Sequence, residues 1–121
     1  MTADAIEGRT RSEVLTGHVG PWSGAIGPIV EGSWRGKPRG EVSASGYVAH
    51  ALEAAVWSVG RGPRFFRAVL HAANLGQDAD TTAAIAGQLA GALSGSLSMP
   101  AAWIAQLAWR ERLQGAAEAL L

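Results

Sequence analysis

The chain has no cysteine among its 121 residues. Disulfide staples, zinc–thiolate centres and thiol nucleophiles are therefore excluded. It also lacks a charge excess, with 10 Lys+Arg against 10 Asp+Glu. A basic face for nucleic-acid phosphates is not indicated, and no nucleic-acid binding is expected. The small cluster Arg35, Lys37 and Arg39 reads as a solvated loop. Long apolar runs are missing as well. The most apolar stretch, Ala83 to Leu97, is interrupted by Gln88 and is shorter than the roughly 20 residues a membrane span needs. The first residues, Met1 to Leu15, are polar and mixed in charge, unlike a secretory leader. No membrane association is expected, and the reading is a cytoplasmic protein.

Small residues are abundant, with 16 glycines in a composition that is 48% hydrophobic. They are unevenly placed. Residues 3–15 can form a short helix with Ile6, Val14 and Leu15 as its apolar contacts. Residues 16–44 carry Gly17, Gly20, Pro21, Gly24, Gly27, Pro28, Gly32, Gly36, Pro38 and Gly40, which reads as loops and turns. A loop of that length in a compact domain is often functional. Trp34 within it is a candidate anchor onto the core.

From Ser43 the pattern becomes helical. Ser43 or Ser45 can cap a helix to about Val59, stopped by Gly60 and Gly62. That helix is apolar nearly all round, which normally means burial in a larger body. It hints that further chain or another subunit covers it. A second helix runs from Gly62-Pro63 to about Asn74, and a third from Ala79 or Asp80 to Ser94. In the third, Ala83, Gly87, Gly91 and Gly95 recur every four residues and form a groove for close helix approach. Met99-Pro100 opens a fourth to about Arg112, with Trp103, Ile104, Leu107 and Leu113 as its stripe. The expected class is all-α. The expected organisation is one partial domain: 1–44 helix plus loop, 45–113 core helices, 114–121 helical tail.

The sharpest chemical feature is Gly76-Gln77-Asp78-Ala79-Asp80-Thr81-Thr82. Residues two apart do not share a helix face. Asp78 and Asp80 converge only where the backbone leaves the helix, as at an N-terminus. With the Thr81 hydroxyl they would then present the hard oxygens that Mg²⁺ or Mn²⁺ prefers. The plainer alternative is that both aspartates cap the helix and meet its positive end. His18, His50 and His71 have no ligand spacing. His50 and His71 read as core histidines with one hydrogen bond each, and Glu53 as a polar contact of its helix. Ser45-Gly46 fits either a phosphate approach or a cap.

Longer strings decide between neighbours of this motif. Ser45-Gly46-Tyr47-Val48-Ala49-His50-Ala51-Leu52-Glu53-Ala54-Ala55-Val56-Trp57 is followed by His71-Ala72-Ala73-Asn74-Leu75-Gly76-Gln77-Asp78-Ala79-Asp80-Thr81-Thr82. The glycine-spaced helix and Pro100-Ala101-Ala102-Trp103 come next. In combination these resemble the C-terminal half of the ADP-ribosylglycohydrolase family, from about Glu31 to Leu113 and more faintly back to Ala5.

The resemblance implies an all-α, orthogonally packed helical bundle with two divalent cations, Mg²⁺ or Mn²⁺, in a central cleft. It implies Asp78, Asp80 and Thr81 as metal ligands. Tyr47, with Ser45 and Gly46, would line the ADP-ribose cleft. The implied activity is hydrolysis of ADP-ribose from a modified protein or small molecule. Family members are more than twice this length, and their N-terminal part supplies a Thr/Ser-Asp-Asp motif and the acidic residue near the scissile bond. No second acidic pair stands here: Asp4, Glu7, Glu13, Glu31, Glu41 and Glu53 are isolated. The catalytic residues are thus not among those identified, and this chain alone is expected to be inactive. A separate N-terminal half or a homo-oligomer, packed on the Gly87/Gly91/Gly95 face, would complete it. The alternative is a non-catalytic remnant or helical interaction module.

Overall fold

The computed structural model describes residues 1–16, 18 and 20–120. Gly17, one of the expected loop breakers, and Leu121, the end of the expected tail, lie outside the described residues. Every regular element among the described residues is helical: α1 (Thr2–Ile6), α2 (Arg11–Leu15), α3 (Ile26–Glu31), α4 (Val48–Arg61), α5 (Phe65–Ala73), α6 (Ala79–Ser94), α7 (Ala101–Gln106) and α8 (Arg110–Ala119). Short 3₁₀ turns stand at Arg39–Glu41 and Ser96–Ser98. None of these helices is long and apolar enough to cross a membrane.

Helix α4 is the centre. Ala49, Ala51 and every residue from Ala54 to Val59 are buried. Its cover comes from within the chain, chiefly α5 and α6, with a smaller contact from α3. The expectation of a missing cover for α4 is therefore corrected. Alanine makes this work, because small side chains let helix axes approach closely while still removing apolar surface from water. The turn from α4 to α5 is tighter still. A Cβ on Gly62 would stand 2.5 Å from the Ala68 amide nitrogen. Arg11 closes the same end by donating from its guanidinium to the carbonyls of Val59 (2.7 Å), Gly62 (3.2 Å) and Pro63 (3.0 Å). These are the orphan acceptors of a helix C-terminus, which favour a cation.

Four expectations change. The N-terminal helix is two helices, parted at Gly8 (φ 82°) and restarted by a capping box between Thr10 and Glu13. The Gly/Pro stretch contains α3, with Pro28 in its first turn, where no backbone N–H is needed. The fourth helix breaks at Leu107–Trp109, where Trp109 takes a left-handed conformation (φ 56°). The glycine face of α6 receives a helix as expected, but from within the chain and not from a second copy: Gly87 faces Val69 of α5, and Gly91 faces Met99 and Phe65. Only Gly95, at the C-terminal end, has nothing against it. Trp34 does anchor its loop, buried to 7% exposure against Gly60 of α4.

Candidate functional site

The site grows from a turn. Gly76 (φ 77°) and Gln77 (φ 57°) are both left-handed, and they reverse the chain between α5 and α6. A left-handed glutamine is uncommon and marks a conformation held by its surroundings. Three bonds hold it. The Asp78 amide donates to the Ala44 carbonyl at 3.0 Å. Ser43 Oγ donates to Gln77 Oε1 at 3.2 Å. The Arg39 guanidinium donates to the Asn74 carbonyl. The segment 39–47 is thereby strapped onto the start of α6.

Asp78 stands at the N-cap position of α6 with φ −88° and ψ 61°, and its carboxylate makes no capping bond. Asp80 is exposed in the first turn. The backbone N–H of Thr81 holds the Asp80 carboxyl below its ordinary value, aided by the Asp78 side chain within hydrogen-bonding reach and by its own N–H. The Asp78 side chain thus lies near the Asp80 carboxyl at the start of α6. Thr81 is also exposed beside them. Among the described residues no three His, Asp or Glu side chains converge. The oxygen-bearing side chains at this helix start are two carboxyls and the Thr81 hydroxyl.

The Ser45-Gly46-Tyr47 segment arrives at the same place. A Cβ on Gly46 would lie 3.6 Å from Asp78 Oδ2. Ser45 Oγ lies 2.8 Å from His50 Nδ1 and accepts from the Tyr47 amide at 3.3 Å. The expected serine cap of α4 is not made: Tyr47 is the N-cap residue, with no side-chain capping bond. The Tyr47 ring is 55% exposed and stands edge-on to His50, with centroids 5.1 Å apart.

Below them lies a cavity of about 300 Å³, bordered by Ile29, Ser33, Lys37, Tyr47, His50 and Glu53. Glu53 is tied there to Lys37 Nζ at 2.6 Å and to Ser33 Oγ at 3.3 Å, a polar contact as expected.

Two histidine readings change. His50 is exposed on the first turn of α4, not in the core. His71 is partly exposed and edge-on to Trp57 at 6.1 Å. The strap residues were read from sequence in other roles: Arg39 as part of a solvated loop, Ser43 as a helix cap and Gln77 as part of the break before α6. Their bonds to Asn74 and to one another correct the first two readings.

With this geometry in hand, comparison with known proteins is decisive. The family model for ADP-ribosylglycohydrolase matches residues 2–121. This chain belongs to the ADP-ribosylglycohydrolase family. It is 43% identical over 115 residues to the ADP-ribosylarginine hydrolase Tri1 of Serratia proteamaculans (strain 568), covering 95% of this chain and 31% of that protein. It is 47% identical over 92 residues to the ADP-ribosylarginine hydrolase Tri1 of Pseudomonas putida (strain GB-1), covering 76% of this chain and 25% of that protein. The chain therefore spans about a third or less of these ADP-ribosylglycohydrolase relatives.

Proposed function

We propose that this chain supplies the divalent-metal half-site and part of the ADP-ribose-recognising face of a hydrolase that removes ADP-ribose from arginine. The observation carrying the proposal is the free carboxylate of Asp78. It sits at a capping position without capping, lies near the Asp80 carboxyl, and lies under Gly46 of the Ser-Gly-Tyr segment. This supports a ligand role over the purely helix-capping alternative. Two carboxyl groups this near one another share either a proton or a cation, and a bound cation lets both ionise.

The donor set fits a hard divalent ion in part. Asp78, Asp80 and the Thr81 hydroxyl would hold Mg²⁺ or Mn²⁺. They fall short of the usual six or so ligands, so water and the remaining family segment complete the sphere. When bound, such cations supply positive charge that orients ribose hydroxyls and polarises water. The chain's own side chains do the rest of what is assigned here. Tyr47 offers an exposed ring and hydroxyl to ADP-ribose. Ser45 and Gly46 let the ligand backbone approach, because Gly46 leaves open the space next to Asp78. The acidic group near the scissile bond comes from the segment that the relatives have and this chain does not cover, provided in a longer chain or by a second polypeptide. The arginine linkage follows the names of the relatives.

The test is release of ADP-ribose from an ADP-ribosylated arginine peptide with Mn²⁺ or Mg²⁺. The chain is assayed alone and mixed with the uncovered region of the Serratia relative. Hydrolysis that needs both polypeptides and vanishes with Asp78→Asn is expected. No hydrolysis in any mixture would overturn the proposal.

A further inference from the structure

We infer that His50 is the positioning residue that sets Tyr47 and the Ser45 hydroxyl at the mouth of this site. The inference rests on the ADP-ribose reading above.

Its geometry begins with an oddity of α4. Helices favour a serine whose oxygen accepts from the first-turn amides. Here a serine precedes the helix, yet its hydroxyl is used elsewhere. Ser45 Oγ accepts from the Tyr47 N–H at 3.3 Å and lies 2.8 Å from His50 Nδ1. A hydroxyl has one proton and two lone pairs. With the Tyr47 amide filling one lone pair, the Ser45 hydroxyl can donate to His50 Nδ1 or accept from it, according to the ring's tautomer. The proposed chain of bonds runs from the Tyr47 N–H to Ser45 Oγ and from the Ser45 O–H to His50 Nδ1, which requires the neutral ring to carry its proton on Nε2.

The same imidazole holds the tyrosine from a second direction. The Tyr47 and His50 rings meet at 89° with centroids 5.1 Å apart, the edge-to-face arrangement that aromatic quadrupoles favour. Both residues border the 300 Å³ cavity. One end of this small network is fixed, because the Ala44 carbonyl holds the Asp78 amide at 3.0 Å. The other end is His50, on the first turn of the central helix. An exposed tyrosine on a loop would otherwise sample several rotamers, and a ligand would have to order it on binding.

The measurement has two readouts on the full chain. Long-range ¹⁵N–¹H spectra report the His50 tautomer without any ligand. Calorimetric titration of ADP-ribose in the presence of Mn²⁺ reports affinity. Three variants are compared: His50→Leu, His50→Asn, whose amide can take the Nδ1 bond, and Ser45→Ala. His50 is exposed, so these variants keep the parent's helical signal, checked by circular dichroism. The parent is expected to show the Nε2–H tautomer, lost in Ser45→Ala. His50→Leu should weaken ADP-ribose about tenfold, the scale of one oriented hydrogen bond, with His50→Asn recovering most of it. Parent binding that His50→Leu leaves unchanged would overturn this inference alone. So would an Nδ1–H tautomer in the parent. A parent that binds no ADP-ribose would overturn the functional reading, and the positioning role with it.

Discussion

Helices α4 to α6 and the segment from Leu97 onward are built from opposite materials with opposite results. In the first, the buried side chains are mostly alanine and valine with one large aromatic, Trp57 at 3% exposure. In the second, the side chains are large and apolar, and they face solvent: Leu97, Leu107, Trp109, Leu113 and Leu120 are all more than half exposed. Hydrophobic side chains alone therefore do not make a core. Close approach does, and the alanines of α4 and the glycines of α6 supply it. The second region touches the first through Met99, against Gly91 of α6, and through Trp103, edge-on to Phe65 at 6.3 Å.

The contrast can be broken most sharply by truncating a tryptophan on each side. Trp57→Ala removes a buried ring and its donation to the Lys37 carbonyl at 2.9 Å. It should cost about 4 kcal/mol in urea unfolding. Trp109→Ala, at 77% exposure, should change the same midpoint by less than about 0.5 kcal/mol. Similar losses from the two would mean that the segment from Leu97 onward is packed.

Gly62→Ala tests whether closeness, not hydrophobicity, sets the stability of the first region. The added methyl meets backbone of Ala68, which cannot rotate away. A loss of about 3 kcal/mol is expected by thermal unfolding. An unchanged melting temperature would mean that the α4–α5 turn relaxes freely.

Thr82→Val sharpens the comparison in the other direction. Thr82 is fully buried on α6 and its hydroxyl has no partner among the described residues. Removing an unsatisfied polar group should stabilise by about 1 kcal/mol. A destabilised variant would show that the hydroxyl has a bonding partner.

The smallest effect is expected at the N-terminal edge of the body. Glu13 is held below its ordinary value of 4.5 by the Thr10 hydroxyl and then by the Thr10 amide. A depressed carboxyl stabilises above its unfolded value and loses that contribution as pH falls through the folded one. The stability gap between the parent and Glu13→Gln should therefore be full at neutral pH and close below about pH 4.5. A gap independent of pH would remove the capping carboxylate from the account.

The core helices were legible from sequence because their periodic segments end at strong punctuation. The third was expected from Ala79 or Asp80 to Ser94 and spans Ala79–Ser94; α4 starts at Val48, later than either serine implied. Helix α3 was hidden because Gly27 and Pro28 look like breakers, whereas a first turn tolerates both. The break at Trp109 had no signal, since a left-handed tryptophan has no sequence mark. Of the candidate site, Asp78, Asp80 and Thr81 could be placed at a helix start by local pattern. That Gly46 and Ala44 meet Asp78 could not, because those contacts depend on how the 39–47 segment crosses the turn. His50 was misread for a related reason. Its neighbours in sequence are apolar, but His50 stands with Val48 on the exposed side of the first turn of α4 while Ala49 and Ala51 are buried.

The central claim is that Asp78 and Asp80 are ligands and not caps. Calorimetric titration of Mn²⁺ and Mg²⁺ into the chain, beside the Asp78→Ala/Asp80→Ala variant, tests it most directly. The account predicts binding by the parent that disappears in a variant with unchanged helical content. Binding absent from a folded parent, or retained in the variant, would contradict it.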